Sequence, residues 1–172
     1  MDHARYLDLA LEEAEKAGQD RAMPVGAIIV TPEGSVLSRG RNRVMSTGDQ
    51  TAHAEIDAIR NAGPVIAPAI PGSIPRVEPA EGYVLYTSAQ PCLMCMGAIL
   101  FCSIGTVVWA APSTTGDAYG AVLPSGYQEE RFRSIQIIRE PSPVHRSRSR
   151  ALLRDFFTRH GNIEVARFVT DP

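Results

Sequence analysis

Apolar positions recur along the first twenty residues at helical spacing: Tyr6, Leu7, Ala10, Leu11 and Ala14 fall on one face. That rhythm predicts a helix over 4–17, capped by Asp2 and stopped at Gly18. The period then changes. Pro24 to Thr31 (PVGAIIVT) is a short β-branched run, and Ser35 to Asn42 can pair back on it across Pro32-Glu33-Gly34, which predicts a hairpin. A helix follows from Thr51 to about Ala62. Tyr83–Ser88 and Thr106–Ala110 read as strands, with a helix from Pro91 to about Cys102 between them. Ser134–Arg139 predicts a last strand, and Val144 to His160 a last helix.

Two stretches interrupt this pattern. Residues 63–82 hold five prolines and three glycines, a density that neither a helix nor a central strand tolerates, so they read as an inserted surface loop. Residues 111–127 also read as loop. Strands alternating with helices argue for an α/β layered sheet. A chain of 172 residues suits one domain, 1–172, better than two, and no internal repeat is present.

Composition narrows the class. At 44% apolar and 21% charged, the chain reads as a globular protein, not as disorder. Its formal charge of -2 gives no overall basic field that would announce a nucleic-acid partner. No stretch approaches the roughly 20 apolar residues that cross a bilayer, and the start Met-Asp-His does not read as a signal peptide. Three cysteines, two of them in C-x-x-C, do not make a disulfide framework. The expectation is a cytoplasmic protein with thiols free for metal.

His53-Ala54-Glu55 and Pro91-Cys92-Leu93-Met94-Cys95 carry the candidate chemistry. His53, Cys92 and Cys95 are three zinc ligands, and Glu55 is an acid that need not bind. Three protein ligands leave a coordination position open, as in catalytic zinc sites, whereas structural sites close with four. Pro91 suits the first turn of a helix, which puts Cys92 and Cys95 on one face, where the helix N-terminus favours thiolate. Two thiolates and a neutral imidazole bring the zinc site to about zero formal charge, so a separate carboxylate is wanted to move protons. Each motif alone has a plainer meaning: C-x-x-C can be a redox pair or half a zinc knuckle, and His-Ala-Glu a solvated helix face. The conjunction in this order is the spacing used by zinc deaminases of nucleobases. Cys102 and Trp109 read as core.

With Pro24-Val25-Gly26-Ala27 and Asn42, these motifs resemble the cytidine/deoxycytidylate deaminase superfamily, on the branch of bacterial tRNA adenosine deaminases and small guanine deaminases. The likeness runs from about residue 4 to 160. It implies a three-layer α/β/α fold with a central five-stranded mixed sheet, one Zn²⁺ per chain and a homodimer. It makes His53, Cys92 and Cys95 the ligands and Glu55 the proton shuttle. It implies that Asn42 and the Ala54 backbone N–H bind the target base, with Val25 beside it.

The resemblance divides on substrate. Val25 is like the tRNA enzymes, where many guanine deaminases carry Phe, and Ala151–Phe157 (ALLRDFF) also resembles that branch. Between Arg131 and Arg159 stand eight arginines against Glu140 and Asp155, a stretch that can contact phosphates or simply solvate a helix face. Against tRNA are Gln90 in place of Glu, Pro112-Ser113 in place of Arg-Asp, and the lack of a lysine-rich tail. Asp117 and Tyr119 are candidates for gripping and walling a small base. The balance of the sequence favours a free amino-heterocycle (guanine, cytosine or an aminotriazine-like analogue) as substrate. Wobble adenosine in tRNA is the alternative, and a non-catalytic zinc or RNA-binding module is a third reading that Glu55 opposes.

Overall fold

A computed structural model describes residues 2–66, 82–102, 104–112 and 132–170. Asp117, Tyr119 and most of the proline-rich loop lie outside the described residues.

The chain opens with α1, His3–Gln19, whose N-cap Asp2 accepts a hydrogen bond from the Arg5 N–H. All five apolar positions read from the sequence are buried on it. Gly18 does not stop the helix. The turn closes at Asp20, whose N–H reaches the Lys16 carbonyl, and Arg21, in the left-handed conformation at φ 61°, donates its N–H to the Gly18 carbonyl.

Strand β1, Gly26–Val30, pairs antiparallel with β2, Val36–Arg41, forming the expected hairpin. On its other edge β1 pairs antiparallel with β3, Val84–Thr87. Two parallel pairings follow, β3 with β4, Thr106–Trp109, and β4 with β5, Gln136–Arg139. The result is one five-stranded mixed sheet in the order β2-β1-β3-β4-β5.

Alternation along the strands sorts side chains onto two faces. Tyr6, Leu7 and Ala10 of α1 pack with Ile28, Val30, Val84, Tyr86 and Val108. Ala27, Ile29, Leu85, Val107 and Trp109 face the other way, onto α3 (Ala54–Ala62) and α4 (Leu93–Leu100). Cys102 and Trp109 lie in that core, as read from the sequence. Gly40 lets α3 sit directly on β2, since a Cβ there would overlap the Ala54 carbonyl and the Ala58 N–H.

Both helices that carry the chemistry start later than expected. α3 begins at Ala54 rather than Thr51, and α4 at Leu93, so Pro91 precedes the cap instead of occupying the first turn. The reason is local: His53 and Cys92 are N-caps in extended backbone, with ψ of 160° and 172°. A single turn, α2 (Val44–Thr47), links β2 to α3. At the C-terminal end α5, Pro143–Arg159, packs beside α1, and Arg148 on it binds Asp8 and Glu15 of α1 at 2.7–3.1 Å. A further helix, α6 (Ile163–Thr170), follows where the sequence pattern predicts nothing. Among the described residues no helix is long and apolar enough to cross a membrane.

Candidate active site

Two helix N-termini converge on one point. His53 ends the loop into α3, and Cys92 the loop into α4, with Cys95 one turn further along α4. His53 Nδ1 lies 3.5 Å from Cys92 Sγ and 3.6 Å from Cys95 Sγ, and the two sulfurs are 3.6 Å apart. A tetrahedral ion bonded at ~2.1 Å to nitrogen and ~2.3 Å to sulfur needs separations of about 3.6 Å for S···N and 3.8 Å for S···S. The triangle therefore fits zinc, with one position left for a non-protein ligand. His53, Cys92 and Cys95 are also the one such group of His, Cys, Asp or Glu ligands found among the described residues.

The electrostatics suit thiolate chemistry. The sulfur–sulfur contact with Cys95, with His53 alongside, takes the Cys92 thiol down to about 4. Cys95 moves up, first through that contact with Cys92 and then because it is buried. The bond to Cys92 raises His53.

Glu55, in the first turn of α3, is 3% exposed. Its Oε2 is 3.4 Å from Cys95 Sγ, and its Oε1 is 3.4 Å from the Thr87 hydroxyl at the end of β3. Burial pushes its carboxyl above the usual range. An acid held beside the metal ligands, primed to hold a proton, is what a proton shuttle requires.

These groups open onto a cleft of about 290 Å³, close to the lower end of the ~300–1,000 Å³ common for small-molecule sites. Val25, Asn42, His53, Ala54, Glu55 and Cys92 all line it. Asn42 is buried, its Oδ1 accepting from the Val44 N–H at 3.2 Å. Ala54 is the first residue of α3, and a first-turn N–H has no carbonyl partner within the helix.

The sequence reading did not assign several wall residues: Met23, Ala89 and Gln90, and above all Leu153 and Phe157 of α5. Their signal was present, as two apolar residues four apart on a helix otherwise rich in arginine.

Comparison with known proteins agrees with this geometry. The family model for the cytidine and deoxycytidylate deaminase zinc-binding region matches residues 1–111. The tRNA-specific adenosine deaminase of Agrobacterium fabrum is 33% identical over 160 residues, 91% of this chain and 94% of that protein. Guanine deaminase of Bacillus subtilis is 36% identical over 115 residues, 66% of this chain and 67% of that protein. The chloroplastic tRNA(adenine(34)) deaminase of Arabidopsis thaliana is 35% identical over 143 residues, 81% of this chain, which spans only 10% of that longer protein. A solved structure from work on A-to-I editing by tRNA:A34 deaminases superposes with a TM-score of 0.65 at 32% identity, covering 87% of this chain and 99% of that one. Zinc-ligand geometry, a buried acid and a matched family region lead to one assignment: this chain belongs to the cytidine and deoxycytidylate deaminase family, as a zinc-dependent hydrolase of C–N bonds.

Proposed function

We propose that the chain is a tRNA-specific adenosine deaminase, converting a wobble adenosine to inosine with release of ammonia. The supporting observation is extent. The match to the Agrobacterium fabrum enzyme covers nearly the whole of both chains, whereas that to the Bacillus subtilis guanine deaminase covers about two thirds of each. This reverses the balance of the sequence reading, which favoured a free base. The absence of an overall basic field weighed on that reading, but net charge does not report a local surface.

In the reaction the purine occupies the cleft beside Val25 and Phe157, excluded from bulk water. The Asn42 amide and the Ala54 N–H donate to the ring's acceptor atoms. Zinc, when bound by His53, Cys92 and Cys95, supplies Lewis-acid activation of water. Glu55 accepts a proton from the attacking water and places a proton on the ring nitrogen next to the amine-bearing carbon. It then carries a proton to the departing amine. The water oxygen forms the new C–O bond, the C–N bond breaks, and ammonia leaves.

We also read the chain as a cytoplasmic homodimer. α4 is apolar on all sides yet leaves Leu93 51% and the adjoining Phe101 63% exposed, which suits a face covered by a second copy.

Incubating zinc-loaded protein with an anticodon stem-loop RNA, and separately with guanine, cytosine and adenosine, tests the reading. Inosine in the RNA supports it. Ammonia from a free base, with none from the RNA, would return the assignment to the small-base enzymes.

A further inference from the structure

Outside the cleft, one face of α5 carries Arg146, Arg150 and Arg154 at intervals of four residues. Each step rises about 6 Å along the helix, so the three guanidinium groups form a row. They rim a recess of about 230 Å³ between α5 and α6, completed by Ser147, Ala151 and Val169, with no carboxylate among the described residues of its lining.

The arginines of α5 divide by employment. Arg148 points to α1 and is held by Asp8 and Glu15. Arg146 has Glu140 at 3.2 Å, and Arg154 has its sequence neighbour Asp155 at 3.3 Å. Among the described residues Arg150 makes no ion pair. A concave row of three guanidinium groups facing so little opposite charge suits an anion with repeated negative groups. Planar forked donors of this kind match phosphate oxygens.

Position adds to chemistry. Arg146, Arg150, Leu153 and Phe157 follow one another at spacings of four, three and four along a single stripe of α5. The first two rim the recess, and the last two wall the catalytic cleft. One helix face therefore runs from the arginine row to the reacting base.

We propose that the α5–α6 recess is a phosphodiester-binding site, in which Arg146, Arg150 and Arg154 hold the RNA strand flanking the nucleotide in the cleft. This rests on the tRNA reading above. The phosphate contacts fix the strand's register and carry no sequence information, which leaves selectivity to the cleft.

The test uses full-length zinc-loaded protein and an anticodon stem-loop, with binding followed across salt concentrations. The triple substitution Arg146→Gln, Arg150→Gln, Arg154→Gln is compared with Arg148→Gln, which removes one charge from the other side of the same helix. The triple variant should lose at least tenfold in RNA affinity and raise the apparent KM for RNA. With three phosphate contacts gone from a single strand, the slope of log affinity against log salt should become shallower by about 2. Arg148→Gln should lower thermal stability and leave that slope alone. Zinc content read alongside shows that the triple variant is folded.

An unchanged slope and affinity in the triple variant, while the wild type still edits the RNA, would overturn the recess and spare the tRNA reading. A wild type that neither binds nor edits the stem-loop would overturn both. An equal loss of affinity for adenosine 5′-monophosphate would show a single-phosphate site and overturn the strand proposal.

Discussion

His53 and Cys92 hold the same position in two different helices. Each is an N-cap, at φ -73°, ψ 160° and φ -72°, ψ 172°, and their ligand atoms meet 3.5 Å apart. The extended cap backbone turns each side chain across the mouth of its own helix. The site therefore receives two positive helix ends, which stabilise thiolate and any developing negative charge. Metal binding here depends on the packing of α3 and α4 against the sheet rather than on one local loop.

Glu55→Gln keeps the shape of the buried acid and removes its ability to cycle a proton. Turnover should fall by about 10²–10⁴-fold, the usual range for loss of a general acid–base group. Zinc should remain at one per chain, because Glu55 is not among the three converging ligands. Ammonia release and metal analysis on the same preparation check both halves.

Thr87→Val probes the support beneath Glu55. The Thr87 hydroxyl stands 3.4 Å from Glu55 Oε1 and 3.0 Å from the Ala89 carbonyl oxygen, inside a fully buried side chain. Valine fills the same space without the hydroxyl, so the carboxyl loses a positioning contact. A kcat reduced by about tenfold with KM little altered is expected, in line with ~1.4 kcal/mol for one hydrogen bond to a charged or reacting group. Thr87→Ser should restore most of it.

Zinc uptake by metal-free protein should strengthen as pH rises. Cys92, at about 4, is already thiolate at neutral pH. Cys95 is raised by its bond to Cys92, and His53 is raised likewise, so protons compete with zinc at both groups more strongly as pH falls. Displacing one proton changes apparent affinity by about tenfold per pH unit, and displacing two by about a hundredfold. Competition with a chromophoric chelator between pH 6 and 8 measures the slope. A flat profile would mean that neither group is protonated before metal enters.

Much of this site was legible because its chemistry is written in consecutive residues. His53, Glu55, Cys92 and Cys95 each sit within a short motif, and the hairpin and parallel strands announce themselves by β-branched runs. The boundaries were less legible. Thr51 reads as a helix start and Pro91 as a first-turn residue, yet the caps are His53 and Cys92, which stand in extended backbone and make no side-chain capping bond. The walls of the cleft were hidden for a different reason. Leu153 and Phe157 come from a helix about a hundred residues away from His53, and only the fold brings them there. α6 escaped notice because Ile163, Val165 and Val169 are β-branched, and its packing on α5 overrides that preference.

Gly40→Ala tests whether the site relies on the contact between α3 and β2. A methyl group at residue 40 would press on the Ala54 carbonyl and the Ala58 N–H, both backbone atoms that cannot swing aside. The helix must move off the strand, and Ala54 is the residue that follows His53. Overpacking of this kind costs about 1–3 kcal/mol, so the melting temperature should fall by several degrees. Because the displaced end of α3 carries His53, zinc affinity should fall together with stability. Retained zinc affinity in a destabilised variant would show that the triangle of ligands holds its shape independently of how closely α3 rests on β2.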